Sequence, residues 1–436
     1  MTDATSSTAP FQTAAAAVES PVNSPARILL ASLIGTTIEF FDFYVYATAA
    51  VLIFPALFFP NDDAMTALLA SFATFSIAFF ARPLGALVFG HFGDRIGRKA
   101  TLVAALLTMG VSTVIIGFLP TYASIGVWAP LLLALCRFGQ GFGLGGEWGG
   151  AVLMATENAP KGKESWYGMF PQLGAPLGLF LSSGLFLIIL NFMPKATLLS
   201  WGWRLPFLFS IVLIAIGLWV RLSIAETPAF RRAIEKAERV KVPAAELFRT
   251  HKVSLFLGTF VALATFVLFY IGTAYLLAYN VKVIHVSLID ALEIQVWGAV
   301  VFGAFIPLAG VWGDRFGRRR VLIWTTVAIG VFSFALPALF TGGFWGVFGF
   351  ATIAMALMGF TYGLIGGALA APFPTPVRYT GASLTFNFAG IVGASLAPYI
   401  ATYLQHNYGL NYVGYYMLAA AAITLVCILA TKRNHV

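Results

Sequence analysis

The sequence predicts an all-α membrane protein: twelve transmembrane helices in two pseudo-symmetric six-helix bundles. Three observations predict it. Charged residues make up only 10% of the 436 residues and hydrophobic ones 59%, against about a quarter and roughly half in soluble domains. Apolar runs of about 20 residues, the length that crosses a hydrocarbon core, recur along the chain. A ten-residue pattern occurs twice in equivalent places, 220 residues apart.

The scarcity of charge has a physical meaning. In a bilayer every backbone amide must be satisfied internally, so long apolar runs there become helices. The 43 glycines fit the same solvent, because small residues let membrane helices approach closely.

Taken in order, residues 1–26 are rich in Ala, Ser, Thr and Pro and free of basic residues. They lack the basic flank and cleavage pattern of a signal peptide, so a disordered cytoplasmic tail is expected. The spacing predicts spans near 27–58, 65–89, 100–119, 128–155, 165–190 and 203–222, the N-terminal bundle of 27–222. A mixed-charge stretch over 223–252 reads as a cytoplasmic linker with short amphipathic helices at the membrane surface. The C-terminal bundle, 253–431, takes spans near 253–280, 290–312, 320–339, 344–370, 380–404 and 411–431, and 432–436 form a second cytoplasmic tail.

Basic residues orient the chain. Of 26 Lys and Arg, Arg82 and Arg137 lie within spans. With both termini in the cytoplasm of a bacterial inner membrane, only Lys195, Arg204 and Lys282 fall outside and the other 21 face inward. The net charge of +9 therefore marks a membrane-facing surface, and nucleic acid is not an expected partner. Cys136 and Cys427 sit in apolar runs as core thiols, with neither disulfide nor metal spacing.

The repeat confirms the halves. Gly90-His91-Phe92-Gly93-Asp94-Arg95-Ile96-Gly97-Arg98-Lys99 follows the second span, and Gly310-Val311-Trp312-Gly313-Asp314-Arg315-Phe316-Gly317-Arg318-Arg319 follows the eighth. This G-x-x-G-D-R-x-G-R-[KR] loop, together with Arg137-Phe138-Gly139-Gln140-Gly141-Phe142-Gly143, resembles the major facilitator superfamily. Glu39-Phe40-Phe41-Asp42-Phe43-Tyr44, Arg82-Pro83-Leu84-Gly85, Gly145-Gly146-Glu147-Trp148-Gly149-Gly150, Gly202-Trp203-Arg204-Leu205-Pro206-Phe207 and Phe373-Pro374-Thr375-Pro376-Val377-Arg378-Tyr379-Thr380-Gly381 resemble its metabolite:proton symporter branch. The resemblance implies secondary transport by alternating access. Its substrates would be small polar metabolites such as di- and tricarboxylates, oxoglutarate, shikimate, or zwitterions such as proline and betaine. It implies no cofactor, a proton gradient as energy source, and no enzymatic activity.

Charge inside a membrane costs on the order of 2.5–3.5 kcal/mol, which singles out a few residues. Glu39 and Asp42 lie about 18 and 22 Å along the first span by helical rise, with Tyr46 on the same face. Arg137 reaches a similar depth from the other side. An acid–Arg pair here reads either as a proton-coupling site, with Arg137 also offered to a substrate carboxylate, or as a permanent bridge between spans one and four. Arg82 and Glu147 are expected to pair as a gate, the alternative being that Arg82 snorkels to the interface. Asp94, Arg95 and Arg98, with Asp314, Arg315 and Arg318, read as conformational control, the acids favouring helix N-termini. Gln172, Tyr270, Tyr275, Gln295, Tyr362 and Asn387 are candidate substrate contacts or ordinary bundle hydrogen bonds, and Gly141, Gly145 and Gly149 a close-packing stripe. The expectation is proton-coupled import of a small, carboxylate-bearing metabolite by a monomer. A zwitterion symporter, a proton-exchange exporter and a transport-inactive sensor are the alternatives.

Overall fold

In a computed structural model of the chain, residues 25–61, 63–96, 98–157, 159–223 and 243–431 are described. Among them eleven helices are long and apolar enough to cross a membrane. The first half contains α1 (Pro25–Leu52), α2 (Ala64–Ile96), α3 (Arg98–Phe118), α4 (Trp128–Leu144, then Trp148–Glu157), α5 (Glu164–Gln172, then Gly174–Phe192) and α6 (Leu205–Ser223). The second half contains α7 (Lys252–Lys282), α8 (Leu288–Phe316), α9 (Arg318–Thr341), α10 (Gly343–Ala370), α11 (Thr375–Ala389, continued by Ala397–Tyr408) and α12 (Leu410–Ala430). The predicted tails and most of the predicted linker lie outside the described residues, although Pro243–Thr250 forms a short helix before α7.

The expected continuous fourth span is interrupted, which is why α4 does not count among the eleven. Residues Gly145–Glu147 leave the helix as a turn. Glycine lets the backbones of α2 and α4 touch here: a Cβ on Gly145 would stand 1.9 Å from the carbonyl oxygen of Arg82, and one on Gly141 2.1 Å from that of Ala78. Gly149 serves a different neighbour. Its Cβ would meet Ser383 Oγ of α11 at 2.0 Å, so the stripe joins α4 first to its own half and then to the other.

Helix ends follow local chemistry. Asp63 accepts from the backbone N–H groups of Met65 and Thr66 at the start of α2, and Ser287 from that of Asp290 at the start of α8, supplying acceptors to first-turn donors that have none within the helix. Gly317, at φ 89°, makes the left-handed turn between α8 and α9 that a side chain would resist. That turn leads into Arg318-Arg319-Arg320 and marks what we call the basic end of the bundle.

Across the division between halves, α2 lies against α11 and α5 against α8. In each case the second helix of one half meets the fifth of the other, the pattern expected when a duplicated six-helix unit packs on its own copy. Both α7 and α11 carry a widened π-type turn, at Ile271–Tyr275 and Gly390–Ser395, a feature frequent near functional sites. Large apolar side chains such as Phe192, Trp219 and Trp345 are more than 70% exposed on the outside, a surface that lipid accommodates and water does not.

Candidate functional site

The site is built on two successive turns of α1. Glu39, Asp42, Phe43 and Tyr46 recur at helical spacing and are all buried. Asp42 points at α3 and α6: Ser210 Oγ donates to Oδ1 at 2.5 Å and Thr113 Oγ1 to Oδ2 at 3.1 Å. Gln140 Nε2 in α4 donates to Thr113 Oγ1 at 2.8 Å, and Arg137 Nη1 donates to Gln140 Oε1 at 3.0 Å. The four side chains form one buried line, Arg137 to Gln140 to Thr113 to Asp42, with every donor directed toward the carboxylate. Such chains polarise along their length in low dielectric.

Asp42 and Arg137 therefore do not form the direct pair that their depth suggested. The reason is aromatic. The Arg137 guanidinium carbon lies 4.1 Å from the ring centre of Phe43, 4.2 Å from Tyr46 and 4.7 Å from Phe75. Its Nε donates to the carbonyl oxygen of Phe75. Desolvated cation–π contacts are worth about 2 kcal/mol each, enough to hold the cation against the rings rather than against the acid.

Arg82 departs from expectation more sharply. Glu147 pairs with Arg221 of α6, which also donates to the carbonyl of Leu102. The interruption of α4 before Trp148 takes Glu147 off the helical face that carries Arg137 and Gly141, and toward α6. Arg82 is buried over Phe43, 4.6 Å from its centre, and over Phe79 at 5.0 Å. It thus shares the Phe43 ring with Arg137. Several polar atoms of this region are buried without a hydrogen-bond partner: Arg82 Nε, Arg137 Nη2, Glu39 Oε2, and the hydroxyls of Tyr46 and Tyr362. Buried polar groups are ordinarily paired, which singles these residues out as candidates.

Rings close the middle across the halves. Tyr44 meets Phe269 at 5.4 Å, Tyr270 meets Phe75 and Phe79 at 5.7 and 5.8 Å, and Tyr362 meets Phe40 at 6.4 Å. Tyr270 and Tyr362 thereby join the site. Tyr275 stacks on Phe340 instead. Gln295 is buried with Oε1 unpartnered and shares no hydrogen bond or ring contact with the cluster among the described residues.

The basic end is closed by a separate set. Trp148 stacks on Phe386 at 3.7 Å, and Asn387 Nδ2 donates to the carbonyl of Gly145 at 3.1 Å. The Tyr379 hydroxyl donates to the carbonyl of Gly146. Gln172 accepts from Trp148 Nε1 and donates to the carbonyl of Tyr362, both at 3.0 Å. Gln172 and Asn387, candidates for substrate contact, are thus spent on tying the halves together. Asp314 accepts from the N–H groups of Ser165 and Trp166 at 2.8 and 3.1 Å, so the acid of the second loop motif caps a helix of the opposite half. Arg318 presses on Gly367 of α10, and Arg315 lies over Phe316. The side chains of Asp94, Arg95 and Arg98 lie outside the described set.

The sequence-based reading passed over Thr113, Ser210, Gln140, Phe43, Trp148, Phe386 and Arg221 as functional residues. Gln140 carried a signal, three residues from Arg137 in the same motif. The two hydroxyls carried none.

Comparisons with known proteins point one way. The family described as sugar (and other) transporter matches residues 28–435. The chain is 53% identical over 420 residues to the inner membrane metabolite transport protein YhjE of Escherichia coli (strain K12), covering 95% of this chain and 96% of that one. It is 36% identical to the shikimate transporter of the same organism, covering 93% and 94%. To the proline/betaine transporter of Salmonella typhimurium it is 34% identical, covering 94% and 83%. Its fold is similar to the partially occluded inward-open xylose transporter XylE from E. coli, with TM-score 0.71 over 93% of this chain and 96% of that one, at 17% identity.

Proposed function

The chain belongs to the sugar (and other) transporter family, and from that premise we propose that it imports a small carboxylate-bearing metabolite together with a proton. It is a major facilitator transporter of small metabolites rather than an enzyme. The finer reading rests on one observation: the buried line from Asp42 through Thr113 and Gln140 to Arg137.

A charged Asp42 takes the Thr113 proton as a hydrogen bond. A protonated Asp42 has no need of it, and the same Thr113 hydroxyl has the carbonyl of Met109 as a second acceptor at 3.1 Å. Protonation thus turns a hydroxyl, removes the polarisation of Gln140 and changes the field at Arg137. Arg137 in turn keeps Nη2 free for a planar carboxylate, the acceptor a guanidinium fits best. Proton occupancy at one end of the line and substrate occupancy at the other are coupled without the two groups meeting.

The name of the YhjE relative supports a bacterial inner-membrane location, and the distribution of basic residues supports placing both termini in the cytoplasm. The basic end then faces the cytoplasm. Its closure by Trp148–Phe386 and by the Asp314 cap would have to break for inward release, with the halves rocking about the central site. One chain contains both halves, so a monomer suffices.

A zwitterion reading has one feature in its favour, the rings of Tyr44 and Phe269 beside the site, which suit a quaternary ammonium. Two buried guanidiniums in the same place, Arg82 and Arg137, oppose such a cation.

The experiment is lumen pH in proteoliposomes under a charge clamp, with a panel of small carboxylates and zwitterions. Carboxylate-dependent acidification supports proton symport. Acidification only with zwitterions, alkalinisation, or labelled substrate entering with no proton signal would each overturn it.

A further inference from the structure

The short helix Pro243–Thr250 leads into α7 at the basic end. Its Leu247 is buried with Leu255 of α7 and with Phe373, Val377 and Leu384, on and just before α11. The next two residues, Phe248 and Arg249, are exposed. The helix is thus anchored through Leu247 and turns an aromatic ring and a guanidinium outward.

Beside it an open groove of about 310 Å³ runs between α7 and α11. Lys252, Phe256 and Thr259 line it from α7, and Phe388 and Val392 from α11. The Phe248 ring meets that of Phe388 at 6.3 Å where the groove reaches the short helix. Apart from Lys252 its side-chain walls are apolar in effect, because Thr259 Oγ1 is spent on the carbonyl of Leu255 at 2.8 Å. Phe256 and Val392 are 60% and 45% exposed, on the outside of the bundle where lipid is the solvent.

The charge is confined to one end. Arg249 and Lys252 are exposed there, and residues 243–252 carry these two cations against a single acid, Glu246. Among the described residues the Glu147–Arg221 contact is the ion pair present, so neither cation is in one. From Lys252 to Thr259 the helix rises about 10 Å, most of one leaflet's half of a hydrocarbon core about 30 Å thick. A cationic end and an apolar body of that length match an amphiphile with an anionic head. Basic residues at a membrane surface draw anionic lipid, whereas a choline head brings a cation of its own to the same place.

We infer that the groove between α7 and α11 holds an anionic phospholipid of the leaflet at the basic end. Its phosphate lies on Lys252 and Arg249, and an acyl chain runs along Phe256 and Val392. The site is separate from the central cluster and does not depend on which substrate the protein carries. Its occupant lies along the helix whose Phe386 and Asn387 close the basic end.

The test uses the full-length chain in phosphatidylcholine vesicles, with Val392→Cys in a background lacking Cys136 and Cys427 and a fluorophore on the new thiol. Phosphatidylglycerol or phosphatidylcholine carrying a nitroxide on one acyl chain is added in increasing fraction, and quenching reports which lipid occupies the groove. Phosphatidylglycerol is expected to be favoured about fivefold or more, the scale of one basic residue near a membrane surface. Arg249→Gln with Lys252→Gln is expected to bring the two lipids to parity, and each single replacement to give an intermediate ratio. Equal quenching by the two lipids would overturn the inference, as would a preference that survives both replacements. Weak quenching by both, the groove being covered by another part of the chain, would overturn it as well.

Discussion

Asp42 and Arg137 are joined through Thr113 and Gln140 and do not touch. An acid and a guanidinium in direct contact would form a strong pair that a proton or a substrate must break outright. Two neutral links leave each group free to meet its own ligand while still sensing the other.

Thr113 is the link whose loss should be most informative. Thr113→Val removes the hydroxyl and strands both the Asp42 carboxylate oxygen and the Gln140 amide. Leaving such a group unsatisfied costs about 1–3 kcal/mol, expected as a lowered melting temperature. The pH dependence of uptake should also shift, because Asp42 loses a donor that favours its charged form. Thr113→Ser should restore both. A variant with normal stability and an unchanged pH profile would remove Thr113 from the mechanism.

Asp314 should set how readily the basic end opens. Its carboxylate caps Ser165 and Trp166 in the other half, and losing such a cap costs about 1 kcal/mol, roughly a fivefold change in an equilibrium. Ser383→Cys, in a background lacking Cys136 and Cys427, places a thiol against Gly149 at the closed contact. Adding Asp314→Ala should raise its alkylation rate several-fold, and an unchanged rate would count against the latch.

Glu147 is buried and Arg221 is largely shielded beside it, so removing one partner strands the other. Glu147→Gln should lower stability by about 3–5 kcal/mol, read as loss of monodisperse protein on gentle heating. The exchange Glu147→Arg with Arg221→Glu should recover part of it. If Arg82→Gln rather than Arg221→Gln reproduces the Glu147→Gln loss, the assignment of partners is wrong.

Gly141 and Gly184 make a matched pair. Ala at 141 drives a methyl into the backbone of Ala78, while a Cβ at 184 meets nothing within 4 Å. Gly141→Ala should cost on the order of 1–3 kcal/mol or prevent folding. Gly184→Ala should be neutral or slightly stabilising. Equal melting temperatures for the two would contradict the close approach of α2 and α4.

The spans were legible because length and apolarity decide them, and the duplication because the Asp94 and Asp314 loops repeat in register. The interruption of α4 was not, since Gly145 and Gly146 sit in an apolar run with no proline to break it, and only the assembled contact with α2 shows where the helix stops. Arg137, Asp42 and Glu39 stood out as charges within apolar runs. Their partners did not. A lone Thr in an apolar helix ordinarily bonds its own preceding turn, as Thr113 does toward Met109, and its second role exists only once α1, α3 and α4 are assembled. Arg221 lies in the last turn of the sixth span, against the polar linker, where it reads as an ordinary cytoplasmic charge; that hid the partner of Glu147 and left Arg82 the nearer choice.

The most direct test of proton coupling at Asp42 is a paired transport measurement on Asp42→Asn in proteoliposomes. Uphill accumulation driven by a pH gradient is compared with counterflow, which needs binding and rocking but no net proton movement. If Asp42 carries the proton, accumulation should fall at least tenfold, an energetic loss of about 1.4 kcal/mol or more, while counterflow persists. Accumulation that survives in Asp42→Asn would contradict the assignment.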